Sequence, residues 1–190
     1  MRGSGGDERS AEFEAFYTAC YAEIAGYVRR RVQADEADDV VAGVFTVAWR
    51  RFDRVPPPPD DRLWLFGVAR NTVADHHRSR HRRLALRVRL AQDAVTAAVT
   101  HPGSDSRCGP VQAAMAALRP AEREALQLVL WDELSHAEAA TVLGCSVNAF
   151  ESRYRRARNA VRDAVASTGP APGHGPASGL RTSTARETAS

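Results

Sequence analysis

Apolar residues recur at helical spacing through most of the chain, and no stretch alternates with the two-residue period of a strand. Within residues 13–32, Phe13, Phe16, Tyr17, Cys20, Ile24, Tyr27 and Val28 fall on one stripe and predict an amphipathic helix. Arg29, Arg30 and Arg31 close it, where positive charge suits the carbonyl end of the helix dipole. Asp35, Glu36, Asp38 and Asp39 open a second helix, which continues through Val40, Val41, Val44, Phe45, Ala48, Trp49 and Phe52. Four prolines, Pro56 to Pro59, interrupt helix and mark a turn. A third helical stretch starts near Asp61 with a stripe at Leu63, Trp64, Phe66, Gly67, Ala69 and Val73. It becomes cationic on one face beyond Asn71, and Arg80 to Arg89 prolong it.

Periodicity fades over residues 92–110, which are rich in Thr, Gly, Ser and Pro and read as an interdomain linker. A second unit begins at Val111 with a short Ala-rich helix that ends before Pro120. Pro120 suits the first turn of the next helix, through Leu126, Leu128 and Trp131. Ser135 with Glu138 three residues on is a capping box. Gly144 can terminate that helix with positive φ, and Ser146 is the next N-cap candidate. Two short helices about a tight glycine turn, the second rich in Arg, describe a helix-turn-helix. The expected fold is therefore all-α, with two small helical domains at 11–90 and 111–166 and a linker at 91–110. Residues 1–10 read as a flexible start and 167–190, rich in Gly, Pro, Ser, Thr and Ala, as a disordered tail.

Composition narrows the function classes. The 190 residues are 44% hydrophobic and 26% charged, a globular balance. No run is long and apolar enough for a membrane span, and the polar start lacks a signal-peptide core, so a cytoplasmic protein is expected. All 26 cationic Lys+Arg positions are Arg. Codon usage in a GC-rich genome accounts for the absence of Lys but not for where the Arg residues sit. Net charge is only +3, yet acids dominate up to Asp61, whereas residues 62–89 hold eight Arg, three His and the single acid Asp75. A second basic run covers 153–162. That segregation implies a protein partner for the acidic part and a polyanion for the basic ones. Cys20, Cys108 and Cys145 lie far apart, and His76, His77 and His81 have no thiol or carboxylate cluster beside them, so no metal site or cofactor is expected. No dinucleotide, Walker or HExxH motif and no nucleophile–base pattern occurs, so no enzyme activity is expected.

In the helix-turn-helix, Ala137, Ala140 and Leu143 are small or apolar where the helices must approach, and Val147 and Phe150 can anchor the second helix. Asn148, Ala149, Glu151, Ser152, Arg153, Arg155 and Arg156 are then left to face outward. Early positions would reach base edges, and later Arg would grip phosphates. In the third helix, Trp64 and Phe66 followed by cations combine aromatic and basic groups, as suits unstacked bases in single-stranded DNA.

Together these residues resemble the extracytoplasmic-function (ECF) sigma factors, the small two-domain members of the sigma-70 family of RNA polymerase sigma factors. The resemblance covers about residues 13–165. It runs from Ala48-Trp49-Arg50-Arg51-Phe52-Asp53, through Leu63-Trp64-Leu65-Phe66-Gly67-Val68-Ala69-Arg70-Asn71, to Leu118-Arg119-Pro120, Leu134-Ser135 to Val147, and Ser152-Arg153-Tyr154-Arg155-Arg156. It implies an alternative sigma factor that binds core RNA polymerase and directs promoter recognition and melting. Asp39, Val40, Phe45, Trp49 and Phe52 would then meet the clamp helices of the polymerase β′ subunit. Asn71 would capture a flipped −10 base from a loop before the promoter helix. Trp64, Arg70, Asp75, Arg78, Arg80, Arg82 and Arg83 would line the −10 DNA. Ser146, Asn148, Ala149, Glu151, Ser152, Arg153, Arg155 and Arg156 would read the −35 element. Implied partners are core polymerase (β′ clamp helices and β flap), promoter DNA and an anti-sigma factor, with no membrane contact.

Three positions depart from the family pattern. Ala42-Gly43 stands where Gln-Glu is common, and Glu151 stands where a basic residue is usual. The alternative from a different class is a stand-alone dimeric helix-turn-helix regulator, which predicts a palindromic operator. The Trp64 to Asn71 segment favours the sigma reading.

Overall fold

A computed structural model of the chain describes residues 4–92 and 109–168. Every regular element among them is helical: α1 Ser4–Arg29, α2 Ala34–Arg50, α3 Asp60–Gln92, α4 Pro110–Ala117, α5 Pro120–Leu130, α6 His136–Leu143 and α7 Val147–Thr168. A short 3₁₀ turn, Phe52–Arg54, leads into the proline segment. Helices α1, α2 and α3 pack on one another, and α7 packs on α4, α5 and α6.

The first three helices bury the stripes that the sequence marks. Ile24, Tyr27 and Val28 of α1, Val40, Val41, Val44, Phe45 and Ala48 of α2, and Leu65, Phe66, Ala69 and Val73 of α3 form their core. Aromatic contacts extend it outward, with Phe13 edge-on to both Trp49 and Phe52 and Phe45 against Tyr17. Residues 4–10, expected as a flexible start, are helical. The guanidinium of Arg9 explains part of this: it lies over the Trp49 ring, donates to the Trp49 carbonyl at 3.0 Å and pairs with Asp53 at 3.6 Å.

The helix-turn-helix has the local chemistry that its sequence encodes. Ser135 Oγ accepts from the Glu138 amide at 3.3 Å, and the Glu138 carboxylate accepts from the Ser135 amide at 2.8 Å. These bonds hold the Glu138 carboxyl below the usual carboxylate range, helped by Arg62. Gly144 ends α6 in the left-handed region at φ 64°, and Ser146 Oγ accepts from the Ala149 amide at the start of α7. The buried face of α6 differs from expectation. Ala139, Ala140 and Val142 are inside, whereas Ala137 and Val147 are exposed. The reason is that α6 packs on α3 as well as on α7, which rotates its apolar face toward both.

The two helical groups do not stand apart. One continuous apolar cluster contains Ile24, Leu65 and Phe66 together with Leu128, Leu134, Ala140 and Phe150. A smaller cluster of Leu118, Leu126 and Ala157 lies within the C-terminal group. Of the expected linker, residues 93–108 lie outside the described residues, as does 169–190 of the expected tail.

Candidate nucleic-acid and polymerase interfaces

Helix α3 carries the first candidate surface. At a rise of about 1.5 Å per residue it is about 50 Å long, and its C-terminal half projects past the core. Asn71 was expected in a loop before the promoter helix; instead it lies inside unbroken α3. Nothing between Leu63 and Arg78 breaks helix, and buried Val68, Ala69 and Val73 keep the helical period on both sides of it. The side chain of Asn71 is exposed and borders two cavities of about 560 Å³ each. One holds Arg30, Arg31, Arg70 and Arg123; the other holds Trp64, Thr141 and Val142. Trp64 is half-buried, and Phe66 is fully buried with its ring edge-on to Tyr27, so Phe66 is core.

Farther along α3 the charges turn outward. Asp75 pairs with Arg78 at 2.5 Å, and Arg80 approaches Glu36, which also meets His76 at 3.1 Å. Partial burial and the neighbouring His76 push the His77 pKa down. Arg82 and Arg83 are exposed, with no ion pair among the described residues. Leu84 and Leu86 are each 58% exposed, so the helix beyond Arg83 is not part of the core.

The second surface is α7. Asn148, Ala149, Glu151, Arg155 and Arg156 are exposed, whereas Ser152 and Arg153 are half-buried. Phe150 is fully buried and anchors the helix, with His136 against its ring and Tyr154 stacked beyond. His136 Nδ1 lies 3.7 Å from Glu151, and Arg156 lies 3.5 Å from Glu122.

The third surface is α2, and here the structure divides the expected contact set. Val40 and Phe45 are buried in the core and cannot meet a partner. Phe52 is half-buried; Asp39 and Trp49 are exposed. The accessible stripe runs Asp35, Asp38, Asp39, Ala42, Thr46, Trp49 and Arg50. Asp38 and Thr46, outside the expected contact set, share this exposed stripe. Their spacing from Trp49 at helical intervals was the available signal. No described helix is long and apolar enough to cross a membrane.

The arginines nearest these surfaces are engaged across the molecule. Arg70 Nε and Nη2 donate to the two Glu124 oxygens at 2.6 and 3.1 Å, which raises the arginine's pKa. Arg30 and Arg31 both hold Asp132, whose carboxylate is fully buried, at 2.5 Å. Arg62 bridges Glu23 at 2.6 Å and Glu138 at 3.2 Å. Arg30 and Arg31 were expected only as helix-closing charges; the long-range partner Asp132 carried no sequence signal.

A helix-turn-helix behind a three-helix unit with a long cationic helix has matches among known proteins. Family profiles for sigma-70 region 2 and sigma-70 region 4 match residues 16–83 and 108–161. The chain is 31% identical over 148 residues to the ECF RNA polymerase sigma factor SigC of Mycobacterium tuberculosis, covering 78% of this chain and 80% of that one. It is 32% identical over 133 residues to the RNA polymerase sigma factor CnrH of Cupriavidus metallidurans, covering 65% and 70%. The solved structure of CnrH with the cytosolic domain of CnrY superposes with a TM-score of 0.61 at 27% identity, over 84% of this chain and 91% of that one. The sigma factor RpoE of Bartonella quintana, solved with the anti-sigma factor NepR, shares the fold with a TM-score of 0.61, over 83% of this chain and 99% of that one.

This chain belongs to the sigma-70 family of RNA polymerase sigma factors. Within it the chain is an ECF-type alternative sigma factor, a transcription initiation factor acting with core RNA polymerase at promoters.

Proposed function

We propose that α3 and α7 divide promoter recognition between them. The observation that carries this reading is the presence, in one chain, of an exposed Asn71 beside Trp64 and Arg70 on α3 and an exposed Asn148–Glu151–Arg155 face on α7. The carboxamide of Asn71 pairs with the edge of a base that has left the stack, and Trp64 offers its ring nearby. Arg78, Arg80, Arg82 and Arg83 follow the phosphates, while Asp75 orients Arg78. On α7, Ser146, Asn148, Ala149, Glu151 and Ser152 face base edges of the −35 element, and Arg153, Arg155 and Arg156 contact phosphates. Glu151, near His136, accepts from a cytosine amine, which gives a −35 preference unlike that of members with a cation there.

Core polymerase engages the exposed stripe of α2 through Asp39, Trp49 and the rim of Phe52, and the β flap meets the C-terminal unit. An anti-sigma factor holds the protein in reserve, as the solved complexes of the Cupriavidus and Bartonella relatives support. The protein catalyses no covalent step and works in the cytoplasm; binding energy does the melting.

The test is promoter-specific run-off transcription with core polymerase and the full chain. Asn71→Ala should cut open-complex formation by about tenfold, the loss expected for one base-edge contact, while leaving −35 binding within about twofold. An unchanged open complex removes Asn71 from the mechanism. Glu151→Lys should shift the −35 sequence recovered by binding-site selection.

A further inference from the structure

Helix α3 outruns both the core and the family pattern. It continues through Gln92, whereas the region 2 profile ends at residue 83. From His76 to Gln92 the sequence carries six arginines and not one acid. Arg82, Arg83, Arg87 and Arg89 are exposed and make no ion pair among the described residues.

Helical geometry sorts these cations onto two flanks. At about 3.6 residues per turn, Arg78, Arg82 and Arg89 fall on the side of Asn71, and Arg89 stands about five turns directly above it. Arg80, Arg83 and Arg87 fall on the opposite side. Leu84 and Leu86 are exposed but only two positions apart, so they face different ways. This stretch therefore has no single apolar face to lay on a bilayer or into a hydrophobic groove.

We propose that residues 80–89 of α3 lie in the major groove of the duplex just upstream of the −10 element. Arg82 and Arg89 meet the phosphates of one wall, and Arg83 and Arg87 those of the other. The inference rests on the reading of Asn71 as a −10 contact. A groove about 12 Å wide accepts a helix about 10–12 Å across. Both walls of that groove are phosphate ridges, so a helix seated in it uses cations on both flanks; a helix lying along one strand uses one flank only. The strand whose base Asn71 takes continues upstream as one wall, and Arg78, Arg82 and Arg89 follow it without a break. Asn71 and Arg89 are about 27 Å apart along the helix, which sets the reach at about eight base pairs. Because the four arginines have no ion pair to break among the described residues, the contact costs no internal one.

The full chain assembled with core polymerase provides the test. The probes are two forked templates from a promoter that the protein transcribes, each with a single-stranded −10 strand. One keeps about twelve base pairs of duplex upstream, beyond the reach of α3, and the other about two. Fluorescence anisotropy reads affinity at several salt concentrations. Arg87→Ala with Arg89→Ala removes one cation from each flank; circular dichroism checks that folding is retained. The double variant should lose about tenfold on the long template, with a salt slope shallower by about two, and stay within about twofold on the short one. Each single variant should account for about one unit of that slope. Arg54→Ala with Arg119→Ala removes the same charge elsewhere and should leave both affinities within about twofold.

An unchanged affinity and slope on the long template would overturn the proposal. So would an equal loss on both templates, an equal loss in the Arg54, Arg119 control, or a slope change confined to one of the two single variants. Asn71→Ala separates this failure from that of the −10 reading. If it weakens both templates while the arginine variant weakens neither, only the upstream contact is removed. If it weakens neither, the −10 reading itself falls.

Discussion

Cys20 illustrates how a side chain's surroundings decide its chemistry. Cys20 is only 7% exposed, and burial, aided by Asp61 and Glu23 and opposed by Arg62, pushes its thiol up from 9.0 to about 11. The thiol is therefore a packing group and a poor nucleophile. Iodoacetamide at pH 8 should label the half-buried Cys145 well before Cys20. The sign of the linkage is fixed by the raised value. The folded state holds the proton more tightly, so this contribution is complete below pH 9 and is lost as pH rises toward 11. Urea midpoints should fall between those pH values, and Cys20→Ala should flatten the fall. Residue roles were only partly legible. Asp39 and Trp49 are exposed, but Val40 and Phe45 share their helix and point inward. A helix assigned to binding contains both faces, and only packing says which is which.

At the scale of elements, two glycines make opposite predictions. An added Cβ at Gly144 meets nothing within 4 Å, so Gly144→Ala carries only the left-handed backbone cost, about 1–2 kcal/mol. At Gly43 an added Cβ would touch Thr72 Cγ2 at an ordinary 3.6 Å. Gly43→Ala should then stabilise α2 by about 1 kcal/mol, the helix-propensity difference. Denaturant titrations of the two variants should move in opposite directions from the parent. The capping box adds a third case. Ser135→Ala should cost about 1 kcal/mol by orphaning the Glu138 amide. Helix positions, caps and the glycine stop were all legible, because each is set by neighbours within one or two turns. The helical start at Ser4 was not, because the Arg9 contacts to Trp49 and Asp53 come from residues at least 40 positions away.

At the scale of the whole molecule, the two helical units share one apolar cluster and a set of opposed charges. Calorimetry at low salt should give a single cooperative transition. In the Glu124→Gln, Glu138→Gln protein it should broaden or split, because two of the charge contacts that couple the units are weakened. A single transition that persists in the variant, with unchanged midpoint, would mean that the apolar cluster alone couples the units. Three of the chain's acids, Asp132, Glu138 and Glu124, pair with arginines of the other unit.

The sequence by itself determined the helices, the helix-turn-helix and the family. Helical period, capping pairs and glycine stops act over a few residues, and the motif order spans both units. Only the tertiary structure decided which face of α2 is open, that Asn71 lies within a continuous helix, and that Arg30, Arg31, Arg62 and Arg70 meet Asp132, Glu138 and Glu124. Those pairings join residues 54 to 102 positions apart, and an arginine's local sequence carries no mark of which distant carboxylate will face it.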